Sequence, residues 1–208
     1  MVAPVETAPL PIAVLVSGAG TNLQALLDSV HGREAEVVAV ASSVAGAPAL
    51  QRAAARDIPN AVFARSEYSD RALRDTALAD WLLARGARLV VLAGYMELLG
   101  KAFLERFPDA VINVHPSLLP AFPGLGAIEQ ALAYGVKVFG VTVHFVDAGV
   151  DTGPVILQRA LELGGEHDPE EVRALLRPIE HLLLSEAVRL LATGALRRSP
   201  ENPRRILE

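Results

Sequence analysis

Two short stretches carry side chains of the kinds that move an acyl group. The first, Asn113-Val114-His115-Pro116-Ser117-Leu118-Leu119-Pro120, offers an amide and an imidazole. The second runs from His144 to Pro154 and holds a carboxylate at Asp151. An asparagine amide can donate to an oxyanion as it develops. A histidine can carry a proton near neutral pH. A carboxylate can orient that imidazole and stabilise its charged form. No serine or cysteine stands beside a base as an evident nucleophile, and the chain has no cysteine at all. The chemistry implied is therefore direct transfer of an acyl group between two bound substrates, without a covalent enzyme intermediate. By itself an Asn-x-His pair equally fits a strand end whose polar side chains satisfy a loop backbone.

A third stretch, Ser17-Gly18-Ala19-Gly20-Thr21-Asn22, sits between an apolar run and a helical pattern. Backbone N–H groups at such a helix start can face an anion, aided by the helix dipole. It is not a dinucleotide fingerprint, because Leu23 occupies the third glycine position and Ser42-Ser43 stands where the acidic residue belongs. It is not a Walker loop either. The plain alternative is a tight strand–helix turn. Formal net charge is −5, so any anion must be caught locally, and a broad nucleic-acid surface is not supported. The absence of cysteine rules out disulfides and cysteine-ligated zinc. No His/Asp/Glu spacing calls for another metal. No uncharged apolar run is long enough to span a bilayer. The first residues lack the basic region of a signal peptide, so a soluble cytoplasmic protein, monomer or homodimer, is expected.

These groups need a scaffold. Ile12–Val16, Val37–Ala41, Leu89–Ala93 and Val111–Val114 are short apolar runs that read as buried strands. Helical spacing over Thr21–His31, Ala49–Arg56 and Ser69–Arg85 alternates with them. That order predicts an α/β fold: a Rossmann-like, mostly parallel twisted sheet flanked by helices. Gly140–Val146 and Val155–Gln158 are expected to add antiparallel strands near the C-terminal part. Asp168-Pro169-Glu170-Glu171 reads as a capped helix start, with Pro178 breaking or kinking the helix before Thr193. Residues 1–11 are expected to be a flexible leader, 12–194 a single domain and 195–208 a solvated tail. Leu119-Pro120 is the expected cis bond.

The Asn-Val-His-Pro-Ser-Leu-Leu-Pro and His-x6-Asp-x-Gly-Pro motifs together resemble the folate-dependent formyltransferase family. The Ser17–Asn22 loop narrows the resemblance to its phosphoribosylglycinamide formyltransferase branch, over about Ile12 to Gly194. The resemblance implies that Asn113, His115 and Asp151 are catalytic and that 10-formyltetrahydrofolate is the co-substrate. It implies that Gly18, Gly20, Thr21, Asn22, Arg71 and Glu180 hold the phosphate and ribose side of glycinamide ribonucleotide. It implies that Met96, Leu98, Leu99, Val146 and Val150 line the folate pocket; simple core packing accounts equally well for Leu98 and Leu99. Ser117, Thr142 and His144 are expected to support the site. The family often has a basic residue where Glu97 stands, and many relatives carry a histidine near Gly126. His181 is expected behind the site; His31 and His167 have no assigned role. Three other readings compete. A methionyl-tRNA formyltransferase is expected to need a further RNA-binding domain, and a formyltetrahydrofolate hydrolase an N-terminal regulatory one. A non-catalytic phosphosugar-binding module would have to lose the chemistry.

Overall fold

The computed structural model describes residues 8–207. Its element order is β1 (Leu10–Val16), α1 (Thr21–Ser29), β2 (Ala35–Ser42), α2 (Pro48–Ala54), β3 (Asn60–Val62), α3 (Arg71–Leu83), β4 (Leu89–Leu92), α4 (Lys101–Leu104), β5 (Val111–His115), α5 (Ala127–Tyr134), β6 (Val138–Phe145), β7 (Val155–Glu162), α6 (Pro169–Ala192), β8 (Arg197–Arg198) and β9 (Ile206–Leu207). The expected leader lies outside the described residues over 1–7, and its last two residues belong to β1. The short β3, α4 and α5 carry too little periodicity to be read from sequence.

A seven-stranded sheet has the order β3-β2-β1-β4-β5-β6-β7. Pairing is parallel from β3 to β5 and antiparallel for β5–β6 and β6–β7. Both faces are covered, which is why the strands read as unbroken apolar runs. Side chains alternate between the faces: Ile12, Val14 and Val16 join α1, α2, α5 and α6 in one core, while Ala13 and Leu15 join α3 and α4 in the other. The chain runs outward from β1 in one direction and then returns to start β4 on its other side. Ligands of such sheets bind at this reversal, outside the carboxyl ends of the strands. Ser17–Gly20 leaves β1 there, Ala93–Leu98 leaves β4, and β5 ends beside them at His115.

Of the two outcomes expected at Pro178, a kink or a break, the break is ruled out: the helix from Pro169 continues to Ala192. Proline removes one N–H and crowds the carbonyl four residues earlier. Here Pro178 is on the exposed side, where water can take up that carbonyl, while Val172, Leu176, Leu183, Leu184 and Val188 anchor both halves to the core. The capping box predicted at its start is present, with Asp168 accepting from the Glu171 amide and Glu171 from the Asp168 amide. The tail is largely exposed, and within it Arg197–Arg198 and Ile206–Leu207 pair as the antiparallel β8–β9 hairpin.

Candidate active site

Asn113 and His115 lie two positions apart on β5, so both side chains leave the same face of the sheet. The antiparallel register sets His144 opposite Asn113 and Thr142 opposite His115. Cross-strand neighbours of this kind share a face. Asn113 Nδ2 lies 3.2 Å from His144 Nε2 and donates to Asp151 Oδ1 at 3.4 Å. The other nitrogen of His144, Nδ1, lies 2.8 Å from the Phe145 carbonyl. His144 Nε2 also lies 3.5 Å from Asp151 Oδ1. His115 Nδ1 faces Asp151 Oδ2 at 3.3 Å, and its Nε2 lies 2.9 Å from the Phe122 carbonyl.

Asp151 is the hub. Its Oδ2 also accepts from the Gly124 amide at 2.7 Å. Burial would raise its pKa, but hydrogen bonding to His144, the Gly124 amide and the neighbouring imidazoles outweigh burial and hold it at about 2. Asp151 and Phe122 both adopt a left-handed backbone, with φ of 52° each. Aspartate tolerates that region; a bulky phenylalanine there is strained and marks a loop held by its surroundings. Ser117 and Thr142 hold the loop from behind: Thr142 Oγ1 donates to the Ser117 carbonyl and accepts from the Leu119 amide, and Ser117 Oγ donates to the Ala121 carbonyl. The Leu119-Pro120 bond is cis, as expected.

The three groups face a cleft of roughly 250 Å³ whose other walls include Met96, Leu98, Gly124, Val150 and Arg173. A second recess of about 290 Å³ is lined by Ser17–Asn22, Ala93, Gly94 and Met96. The two share Gly94 and Met96 and so adjoin. In the second recess Gly20 begins α1 at φ 72°, and no side chain caps the helix. Its first internal bond runs from the Gln24 amide to the Gly20 carbonyl, so the amides of Thr21, Asn22 and Leu23 have no partner within the helix. That is an anion seat. Gly20 is required there: a Cβ would stand 2.5 Å from the Ala49 Cβ. Ser17 Oγ joins the two recesses by accepting from the Met96 amide at 2.8 Å.

Residues 10–188 match the formyl transferase family. Phosphoribosylglycinamide formyltransferase of Haemophilus influenzae is 40% identical over 188 residues, covering 89% of each chain. The trifunctional purine biosynthetic protein adenosine-3 of Drosophila pseudoobscura pseudoobscura is 42% identical, and the match covers 91% of this chain but only 14% of that protein's length. Glycinamide ribonucleotide transformylase 1 from Symbiobacterium toebii superposes with a TM-score of 0.89 at 45% identity, covering 93% of this chain and 92% of the other. The chain belongs to the formyl transferase family.

In this formyl transferase the remaining candidate residues divide. Glu180 comes from α6 to accept from Asn22 Nδ2 at 3.1 Å, which joins the long helix to the anion seat. Burial raises the Glu180 pKa, although Asn22, Arg177, Arg173 and His115 oppose it. Arg177 is helical although a proline follows it, a position that disfavours the helical backbone. Met96, Leu98 and Val150 are more than 45% exposed and line the cleft. Leu99 and Val146 pack on the core beneath α3 instead. Arg71 is exposed at the start of α3, beside Gly100, and lines neither recess. His181 has a buried Nε2 without a partner among the described residues, and burial together with Arg177 lowers its pKa.

Three positioning features escape sequence reasoning. The Phe122 carbonyl and Gly124 amide are backbone groups, and the local signal that could have marked their loop is the Pro123-Gly124 pair. The third feature is a buried ion cluster. Arg74, fully buried, donates to Asp75, to Glu97 at 2.6 Å and to the Leu98 carbonyl, while Asp75 accepts from the Gly100 amide at 2.7 Å. It clamps the 95–100 loop that walls the cleft, and it gives Glu97 a structural partner. Among the described residues no group of three His, Cys, Asp or Glu side chains is arranged to hold a metal ion, and no helix is long and apolar enough to cross a membrane.

Proposed function

We propose that this chain transfers the formyl group of 10-formyltetrahydrofolate to the amine of glycinamide ribonucleotide, as a step of de novo purine biosynthesis. One observation carries the reading: the Asn113–His115–Asp151 set opens onto a cleft that adjoins an uncapped helix N-terminus suited to a phosphate. The phosphate sits on the amides of Gly20–Asn22, with Glu180 accepting from the ribose or glycinamide end. The folate head lies between Met96, Leu98 and Val150. That places the amine and the formyl carbon at Asn113. Holding two substrates in register supplies much of the rate.

The amine nitrogen attacks the N10-formyl carbon, and the carbonyl electrons move onto oxygen. Asn113 Nδ2 donates to this oxyanion; its present bonds of 3.2 and 3.4 Å are long and are readily exchanged. Protonated His115 turns an N–H from the Phe122 carbonyl to the same oxygen. Asp151, ionised at any physiological pH, balances the imidazolium charge. The C–N10 bond then breaks as a proton passes from the former amine to N10, directly or through water and these groups. Tetrahydrofolate and formylglycinamide ribonucleotide leave. The donors supply the charge stabilisation, so the proposal assigns no metal. We assign the activity to one domain, residues 12–194, acting in the cytoplasm as a monomer or homodimer on small substrates and not on nucleic acid.

The test is a spectrophotometric assay of purified protein with 10-formyltetrahydrofolate and glycinamide ribonucleotide. Deformylation that requires the ribonucleotide, with formylated product, is expected. Deformylation without it would make the protein a hydrolase. Tight ribonucleotide binding with no turnover would make it a binding module.

A further inference from the structure

The last residues read as a solvated arginine- and proline-bearing tail, yet they are tied to the catalytic end of the sheet. The β8–β9 hairpin is closed by a Ser199 amide bond to the Arg205 carbonyl and an Arg205 amide bond to the Asn202 carbonyl. Ser199 is buried and Ile206 packs against the larger core. Arg198 reaches the carboxylate of Asp109, just before β5, and lies over the Phe145 ring, 5.5 Å from its centre. Arg204 Nη2 donates to the Thr152 carbonyl at 2.6 Å. The hairpin therefore touches each of the three segments that deliver the polar groups: the approach to β5, the end of β6 and the loop of Asp151. Arg204 also walls a cavity of about 300 Å³ behind the site, together with Leu119, Pro120, Asp151 and Thr152.

The Asp151 loop has reason to need such a tie. Residues 148–150 are exposed. Within the loop, Asp147 accepts from the Gly149 amide and from Thr152 Oγ1. Apart from the bonds that Asp151 makes inside the site, Arg204 provides the side-chain tie to residues 147–152 from outside, among the described residues. Asp151 must also be kept at φ 52° with its carboxylate on the Gly124 amide.

We propose that the C-terminal hairpin is a strap on the catalytic loop, and that Arg204 is a positioning residue for Asp151 in formyl transfer. The rate arm of the test rests on the function proposed above; the exchange arm does not. The experiment compares Arg204→Ala and Arg204→Lys in the full chain. The first readout is hydrogen exchange at the Gly124 amide, which Asp151 protects. Loss of one charge-assisted hydrogen bond is expected to speed that exchange about tenfold in Arg204→Ala. Lysine, which still donates to a carbonyl, restores protection. The second readout is kinetic: kcat falls about tenfold in Arg204→Ala, the KM for the ribonucleotide stays unchanged because the anion seat does not touch the strap, and lysine rescues. A third variant, Asp109→Asn, keeps the left-handed backbone at Asp109 but leaves Arg198 only a neutral amide oxygen to donate to, and raises Gly124 exchange by a smaller factor. Unchanged Gly124 exchange in Arg204→Ala overturns the strap. Faster exchange with unchanged kcat overturns the positioning role. Faster exchange in a protein whose wild type transfers no formyl group leaves the strap standing and sinks the function instead.

Discussion

Asp151→Asn keeps the shape of the side chain and removes its charge. In the native structure this carboxylate is 14% exposed and has four partners: the Gly124 amide at 2.7 Å, His115 at 3.3 Å, Asn113 at 3.4 Å and His144 at 3.5 Å. The drop in pKa from 3.8 to about 2 corresponds to about 2 kcal/mol of stabilisation of the ionised form. Because the folded pKa lies below the unfolded one, this contribution is complete above pH 3.8 and vanishes as pH falls through about 2. Urea denaturation near pH 7 should therefore find Asp151→Asn less stable than wild type by about 2 kcal/mol. Near pH 3 the gap should shrink to about half, and it should be nearly gone by pH 2. Turnover should fall by about 10²-fold or more at neutral pH, because the imidazolium loses its counter-charge. A stability gap that stays constant between pH 7 and pH 3 would refute the account, since it would mean that the charge of Asp151 is not what the native state stabilises.

Asn113→Ala should lower kcat by about 10²- to 10³-fold while calorimetry finds both substrates still bound. Unchanged turnover would remove Asn113 from the chemistry. Gly20→Ala places a Cβ 2.5 Å from Ala49 at a positive φ, so α2 or the loop must shift. Its KM for the ribonucleotide should rise with little change in the KM for folate, alongside a loss of about 1–2 kcal/mol in stability. Arg74→Leu strands the buried Asp75 carboxylate and should cost about 3–5 kcal/mol in denaturant unfolding. Glu180→Gln should act in the opposite direction. A carboxyl whose pKa is raised on folding contributes stability at low pH that is lost as pH climbs through the raised value. The glutamine variant should therefore be more stable than wild type at neutral pH, the difference closing in acid, while its ribonucleotide affinity falls.

Much of the scaffold follows from local pattern. Runs such as Ile12–Val16 and Leu89–Leu92 are apolar on both faces, which only a covered parallel strand accommodates. The Asp168 capping box satisfies its helix start from residues within one turn. The uncapped glycine before Thr21 was legible for the same reason, because a helix start is built by its own neighbours. Asn113 and His115 share a face by strand periodicity alone.

Other features depend on partners distant in the chain. Asp151 meets Asn113 and His115 only because β6 runs antiparallel to β5 and returns the loop to the cleft. Leu98 and Leu99 are sequence neighbours of one chemical type, yet the Arg74 cluster fixes the loop so that one lines the cleft and the other packs inward. Pro178 forbids a helix bond, but buried side chains on either side of it hold the helix together. The tail is polar and proline-bearing, and it is ordered by Asp109, Phe145 and Thr152, residues far earlier in the chain. The sequence determined which segments become strands and helices and which side chains could do chemistry, because backbone preference and periodic burial act over a few residues. The tertiary structure decided which of those side chains meet and which face each loop residue shows, because those outcomes depend on contacts between segments that no local pattern records.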